Sequence, residues 1–221
     1  ALENPGPMTA MSAPAQGLEE LRRRIDTIDD GLHDLLIERS TVVAEIAAIK
    51  RASNSGWYRP GREATVLRRL VERHKGDLPK SALVRLWREI LGAAMRLQTD
   101  FRAAAVRDPA GGGTWEIARD HFGAAVPLST FGSPGQVASQ VVEGKATVGV
   151  LPVPLPDEAQ PWWPLALRHV ETGLHIVARI PFAAPADARG GEAFVIARAD
   201  DEPTGRDRTL LIVETQDPLS R

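Results

Sequence analysis

Arg39 occupies a position where an apolar side chain is due. From Leu21 the apolar residues run Leu21, Ile25, Ile28, Leu32, Leu35, Val42, Ile46 and Ile49, and Arg39 fills the place between Leu35 and Val42. Steps that alternate four and three mark a helix that buries one stripe. Arginine is almost never fully buried unless paired. Either its stem packs and its head bends out to water, or the stripe encloses an anion. Lys50 lies eleven residues further on. At about 100° per residue it returns to within roughly 20° of Arg39, three turns and about 16 Å along the same face. Val43 and Ile46 lie between the two, so long side chains leaning in from each end can grip a small anion. The dipole of a helix C-terminus offers Lys50 a plainer role. Arg22, seventeen residues before Arg39, points roughly 100° away, and reaches such a site from the partner in an antiparallel dimer. Arg62, Glu63 and Gln98 could close the pocket. No acid stands in the first helix's seam to pair these cations. The residues by themselves argue for a helical site for a dianion and go no further.

The chain around them is ordinary in composition. Its 221 residues are 43% hydrophobic and 25% charged, with a formal net charge of −2 and no cysteine. A globular protein is expected, with no global field toward nucleic acid or membrane. Disulfides, thiolate metal sites and cysteine nucleophiles are excluded, and a cytoplasmic setting is compatible. No apolar run approaches the roughly 20 residues of a membrane span. Residues 1–16 lack the layout of a signal peptide and read as a disordered leader.

Three helices must position the cations. The first is expected over 17–52, roughly 50 Å long. A rod of that length cannot bury its own stripe, so an intertwined all-α dimer is expected. "SNSGWYRPG" (53–61) reads as a loop. The second helix is expected over 62–75 with Gly76 as C-cap. The third opens at Asp77 and Pro79 and runs to about 104, with a stripe of Leu83, Leu86, Trp87, Ile90, Leu91 and Ala94, then Gln98. Beyond it, "AAAVRD", "AAVPLST" and "ATVGVLPVPL" read as strands. They alternate with a Gly-rich turn and short helix at 111–123 and with a helix capped by Ser133. A small parallel α/β sheet follows from that order. "LHIVARIPFA", "EAFVIARA" and "TLLIVETQ" are further strand candidates, with a polar linker at 199–208 between the last two. The Gly-rich turn is expected to serve tight packing, and "PWWP" (161–164) to cover an open sheet edge.

The blocks "LEELRRRIDTIDDGLHDLLIERSTVVAEIAAIK", "RPGREATVLRRL" and "LWREILGAAMRLQ" together resemble the all-helical class of chorismate mutases, as found fused to prephenate dehydratases in bifunctional proteins. The resemblance covers about 18–100 and implies a helical domain over 17–104. It implies chorismate as substrate and a pericyclic rearrangement to prephenate that needs no nucleophile, metal or cofactor. By similarity, Arg39 and the other subunit's Arg22 bind carboxylates, while Lys50 and Gln98 donate to the ether oxygen. Glu63 accepts from the ring hydroxyl, and Arg62 shapes that end. Two positions depart: Arg59 stands where the family often has an acid, and Ala94 where it often has a serine. The lost serine removes one hydrogen bond to a carboxylate, about 1.5–3 kcal/mol.

Residues 105–200 resemble part of a prephenate dehydratase, through "VRDPAGGGTWEIARDHFG", "VVEGKATVGVLPV" and "LHIVARIPFA". The family's substrate motif is replaced by "VPLPDEAQPWWP" and its active-site block by "GGEAF". This half is therefore expected to be a degenerate, truncated α/β lobe without dehydratase activity. Residues 201–221 are expected to be a linker and the possible start of a truncated ACT domain. The expectation is a cytoplasmic homodimeric isomerase acting on chorismate, with no nucleic-acid or membrane partner. The competing readings are a non-catalytic helical dimer with a metabolite-sensing or partner-binding lobe, and a bifunctional mutase–dehydratase.

Overall fold

A computed structural model describes residues 13–53, 57–107, 113–154, 161–164, 172–182, 191–199 and 206–211. The chain packs as two units that meet in sequence between Ile46 and Ala47. The first unit contains most of one helix, α1 (Ala13–Ser53). Its seam is open: Leu21, Ile25, Ile28, Leu32 and Leu35 are each more than half exposed. Among the described residues no helix is long and apolar enough to cross a membrane.

In the second unit, α2 (Pro60–Arg73) and α3 (Lys80–Gln98) precede the α/β elements. Proline in the first turn of α2 costs nothing, because its missing N–H would have no partner there. The helix stops at His74 in an extended conformation, two residues before the expected Gly76 cap. Helix α3 starts after Pro79 and ends at Gln98 instead of near 104, because Ala103 is already committed to the sheet. The fully buried face of α3 is Arg88, Gly92, Ala94 and Met95, rotated from the expected leucine stripe, and Leu86 is 53% exposed. Gly92 is the reason: its bare Cα lies against the Phe122 carbonyl at the end of α4 (Thr114–Phe122). Across the same contact, Glu89 accepts from the Ala124 backbone N–H at 2.8 Å.

The remaining elements are β1 (Ala103–Val106), β2 (Leu128–Phe131), α5 (Pro134–Val142), β3 (Val148–Pro152), β4 (His175–Ile180) and β5 (Ala193–Ala197). Ser133 caps α5 as expected, its hydroxyl accepting from the Gln136 N–H. The sheet order is β2-β1-β3-β5-β4. The first three strands pair in parallel, Ala103 opposite both Leu128 and Val148. Strand β5 enters antiparallel between β3 and β4, so the sheet is mixed. Alternate residues feed two cores, as the pleat requires. Ala103, Ala105, Val148, Val150 and Val195 join Phe101, Ile117 and Phe122 on one face. Ala104, Leu151 and Ile196 join Val137, Val141 and Trp162 on the other. Trp162 therefore covers a sheet face and not an edge. Its ring meets Phe194 edge-on and its N–H donates to the Pro152 carbonyl at 2.8 Å. Residues 209–211 of the expected last strand are not in a strand, and the rest of it lies outside the described residues. So do most of the 199–208 linker and the Gly-rich turn before Gly113.

Candidate active site

In the first unit, Arg22 is exposed and lies 3.6 Å from Glu19, one turn back on α1. Arg39 is half-buried, and that burial holds its guanidinium below the usual arginine pKa.

In the second unit, Lys50 closes the last turns of α1, where a cation suits the helix dipole. Its ammonium sits 5.8 Å from the centre of the Trp57 ring, within cation–π range. Gln98 ends α3, and its side-chain amide donates back to the Ala94 carbonyl at 3.1 Å. Ala94 itself is buried. Arg59 is exposed just before α2, and its carbonyl accepts from the Glu63 N–H. Arg62 is exposed in the first turn.

Glu63, next to Arg62 in the same turn, is only 8% exposed. Arg88, also buried, donates to its Oε2 at 3.1 Å. His121 on α4 places Nε2 4.0 Å from the same oxygen. Burial raises the Glu63 pKa, and the charge and hydrogen bond of Arg88 oppose that rise. Burial likewise lowers the pKa of Arg88, opposed by Glu63. The His121 ring is wedged edge-on between Phe122 and Phe182, and neither of its nitrogens has a hydrogen-bond partner among the described residues. Burial first, then the charge of Arg88, holds its pKa well below 6.5, so it is neutral at pH 7. Tyr58 completes the cluster. Its hydroxyl is buried without a partner among the described residues, and its pKa is raised by burial and by Glu63.

Sequence reasoning missed Arg88, His121 and Tyr58. The available signal was Gly92. A glycine inside a helix costs about 1 kcal/mol against alanine, and its presence one turn after an Arg marks a closely packed face.

The orphaned imidazole makes stability depend on pH. The unfolded chain binds a proton at His121 near pH 6.5, while the folded chain binds it only at lower pH. Between those values the unfolded state holds more protons, so stability falls as pH falls. The raised Glu63 pKa acts oppositely at lower pH, because there the folded carboxyl takes up its proton first. A His121→Phe variant should therefore lose less stability than the parent between pH 6.5 and 5.5. Urea midpoints measured across that range check this, and parallel curves would refute it.

Residues 21–99 match the family described as chorismate mutase type II. Three curated relatives are each named bifunctional chorismate mutase/prephenate dehydratase. The protein from Stutzerimonas stutzeri is 36% identical over 144 residues, 63% of this chain and 39% of the relative. That from Pseudomonas aeruginosa is 34% identical over 141 residues, 62% of this chain and 38% of the relative. That from Aquifex aeolicus is 31% identical over 140 residues, 62% of this chain and 38% of the relative. The chain thus spans about two fifths of the length of the curated relatives it matches.

Proposed function

We propose that the chain is a chorismate mutase, an isomerase converting chorismate to prephenate in aromatic amino-acid biosynthesis, working in the cytoplasm as a homodimer. The observation that carries this reading is the match of residues 21–99 to the mutase family, a span that contains each of the candidate site residues. The chemistry asks little of side-chain acids or bases. One bond breaks and one forms within a single substrate, so catalysis consists of holding the compact conformer and stabilising charge on the departing ether oxygen. Arg39 and the partner's Arg22 take the two carboxylates, for which the guanidinium fork is suited. Lys50 and Gln98 donate to the ether oxygen, Arg62 and Arg59 shape the far end, and Glu63 accepts from the ring hydroxyl. Ala94 leaves one carboxylate with a donor fewer.

The open seam of α1 supports the dimer. A run of leucines and isoleucines more than half exposed over four turns is far longer than the scattered apolar residues of a monomer surface, and a second copy of the same helix offers the matching stripe. The replaced dehydratase motifs support reading the α/β region as a degenerate lobe without dehydratase chemistry. The test is to follow the ultraviolet absorbance of chorismate with the purified chain and identify prephenate as product. Loss of chorismate at only the uncatalysed rate would favour the non-catalytic helical dimer instead. Onward conversion to phenylpyruvate would show a bifunctional enzyme.

A further inference from the structure

The Glu63–Arg88–His121 cluster joins the helical and α/β parts of the second unit. Glu63 comes from α2, Arg88 from α3 and His121 from α4, with Tyr58 from the segment before α2. Phe182, just past β4, closes the group, its ring 4.9 Å from the Arg88 guanidinium and edge-on to His121. Each charged member is at least nine-tenths shielded from solvent. A buried carboxylate without its counter-charge is strongly destabilised, so Glu63 stays ionised only while Arg88 stays in place. Both close contacts fall on one oxygen, Oε2.

We propose that Arg88 and His121 are positioning residues for Glu63, so that α4 of the α/β region sets the carboxylate that recognises the substrate's ring hydroxyl. The inference rests on the mutase reading above and extends it. The α/β region then belongs to the mutase machinery, whatever chemistry of its own it has lost. Arg88 fixes the charge of Glu63, and the neutral imidazole fills the space beside Oε2 without competing for its charge. Among the described residues the charged and titratable groups facing Glu63 are Arg88, His121 and Tyr58.

The experiment compares the full chain with Arg88→Met, Arg88→Lys, Glu63→Gln and the Arg88→Met/Glu63→Gln double variant. The readouts are kcat and KM for chorismate from pH 5 to 9, alongside thermal midpoints. Arg88→Met should raise KM by about tenfold, as expected for one lost hydrogen bond to a charged group, with a smaller change in kcat. It should also move the acid limb of kcat/KM to higher pH, because the unpaired carboxylate keeps its proton longer. Arg88→Lys should recover part of both effects. In the Glu63→Gln background, Arg88→Met should change KM by less than about twofold, since coupled residues are not additive. If Arg88→Met fails to fold, Arg88→Lys carries the same readouts, having kept the charge and lost the planar fork. A lowered thermal midpoint with KM and the acid limb unmoved would overturn the proposal. So would an undiminished Arg88→Met effect in the Glu63→Gln background. A parent chain with no turnover would instead overturn the mutase reading, and this inference with it.

Discussion

On the proposed function, Lys50→Ala is expected to lower the rate of chorismate rearrangement by about 10²–10³-fold and to leave the fold nearly intact, and Arg39→Ala is expected to do the same. For Lys50 the size follows from the removal of one preorganised donor aimed at developing charge, and for Arg39 from the loss of the bidentate grip that holds the compact conformer. The fold is spared because neither residue contributes much to it. Lys50 gives a favourable dipole interaction of about 0.3–1 kcal/mol and a ring contact with Trp57 worth about 0.5–1 kcal/mol. Arg39 is only half-buried and carries a desolvation cost that alanine removes. Circular dichroism melts and the chorismate assay, run on the same preparations, separate the two effects. Both variants retaining rates within about threefold of the parent would mean that the site lies elsewhere.

Gly92→Ala has the largest expected effect on stability. A methyl carbon at that position would stand 2.0 Å from the Phe122 carbonyl oxygen and 3.1 Å from its carbon. The obstacle is backbone, so no side-chain rotation relieves it. Separating α3 from α4 also disturbs the Glu89–Ala124 hydrogen bond and the Arg88–His121 face. Overpacking a tight contact costs typically 1–3 kcal/mol, and a backbone clash belongs at or above the upper end. The helix-propensity gain of alanine over glycine, about 1 kcal/mol, does not offset it. A net loss of about 2 kcal/mol lowers Tm by about 4–8 °C in a chain of this size. Differential scanning calorimetry checks it. An unchanged or raised Tm would show that the helices can part without cost.

The sequence made legible what depends on local periodicity. The four-three alternation from Leu21 to Ile49 located α1, and its open seam is where that pattern put it. Ser133 announced the start of α5, and runs of Val and Ala located β1, β3 and β5. What could not be read locally depends on distant partners. Strand β5 inserts antiparallel between β3 and β4, and nothing in "EAFVIARA" names its neighbours. Hydropathy ranked Leu83, Leu86 and Ile90 above Arg88 and Gly92 as the packing face of α3. The structure buries the latter pair because α4 brings a carbonyl for the glycine to approach and α2 brings a carboxylate for the arginine. The proposed site residues rest on the family resemblance. The environment of Glu63 was not legible, since its partners lie 25 and 58 positions away in sequence.

The central claim is that cations on α1 hold a two-acid metabolite in its compact, reactive shape. Calorimetric titration with a rigid bicyclic diacid mimicking that shape, on the parent chain and on Arg39→Ala, tests it most directly. The account predicts saturable binding to the parent with one mimic per chain, and at least about a tenfold loss of affinity in the variant. No binding to the parent, or equal affinity in both proteins, would contradict it.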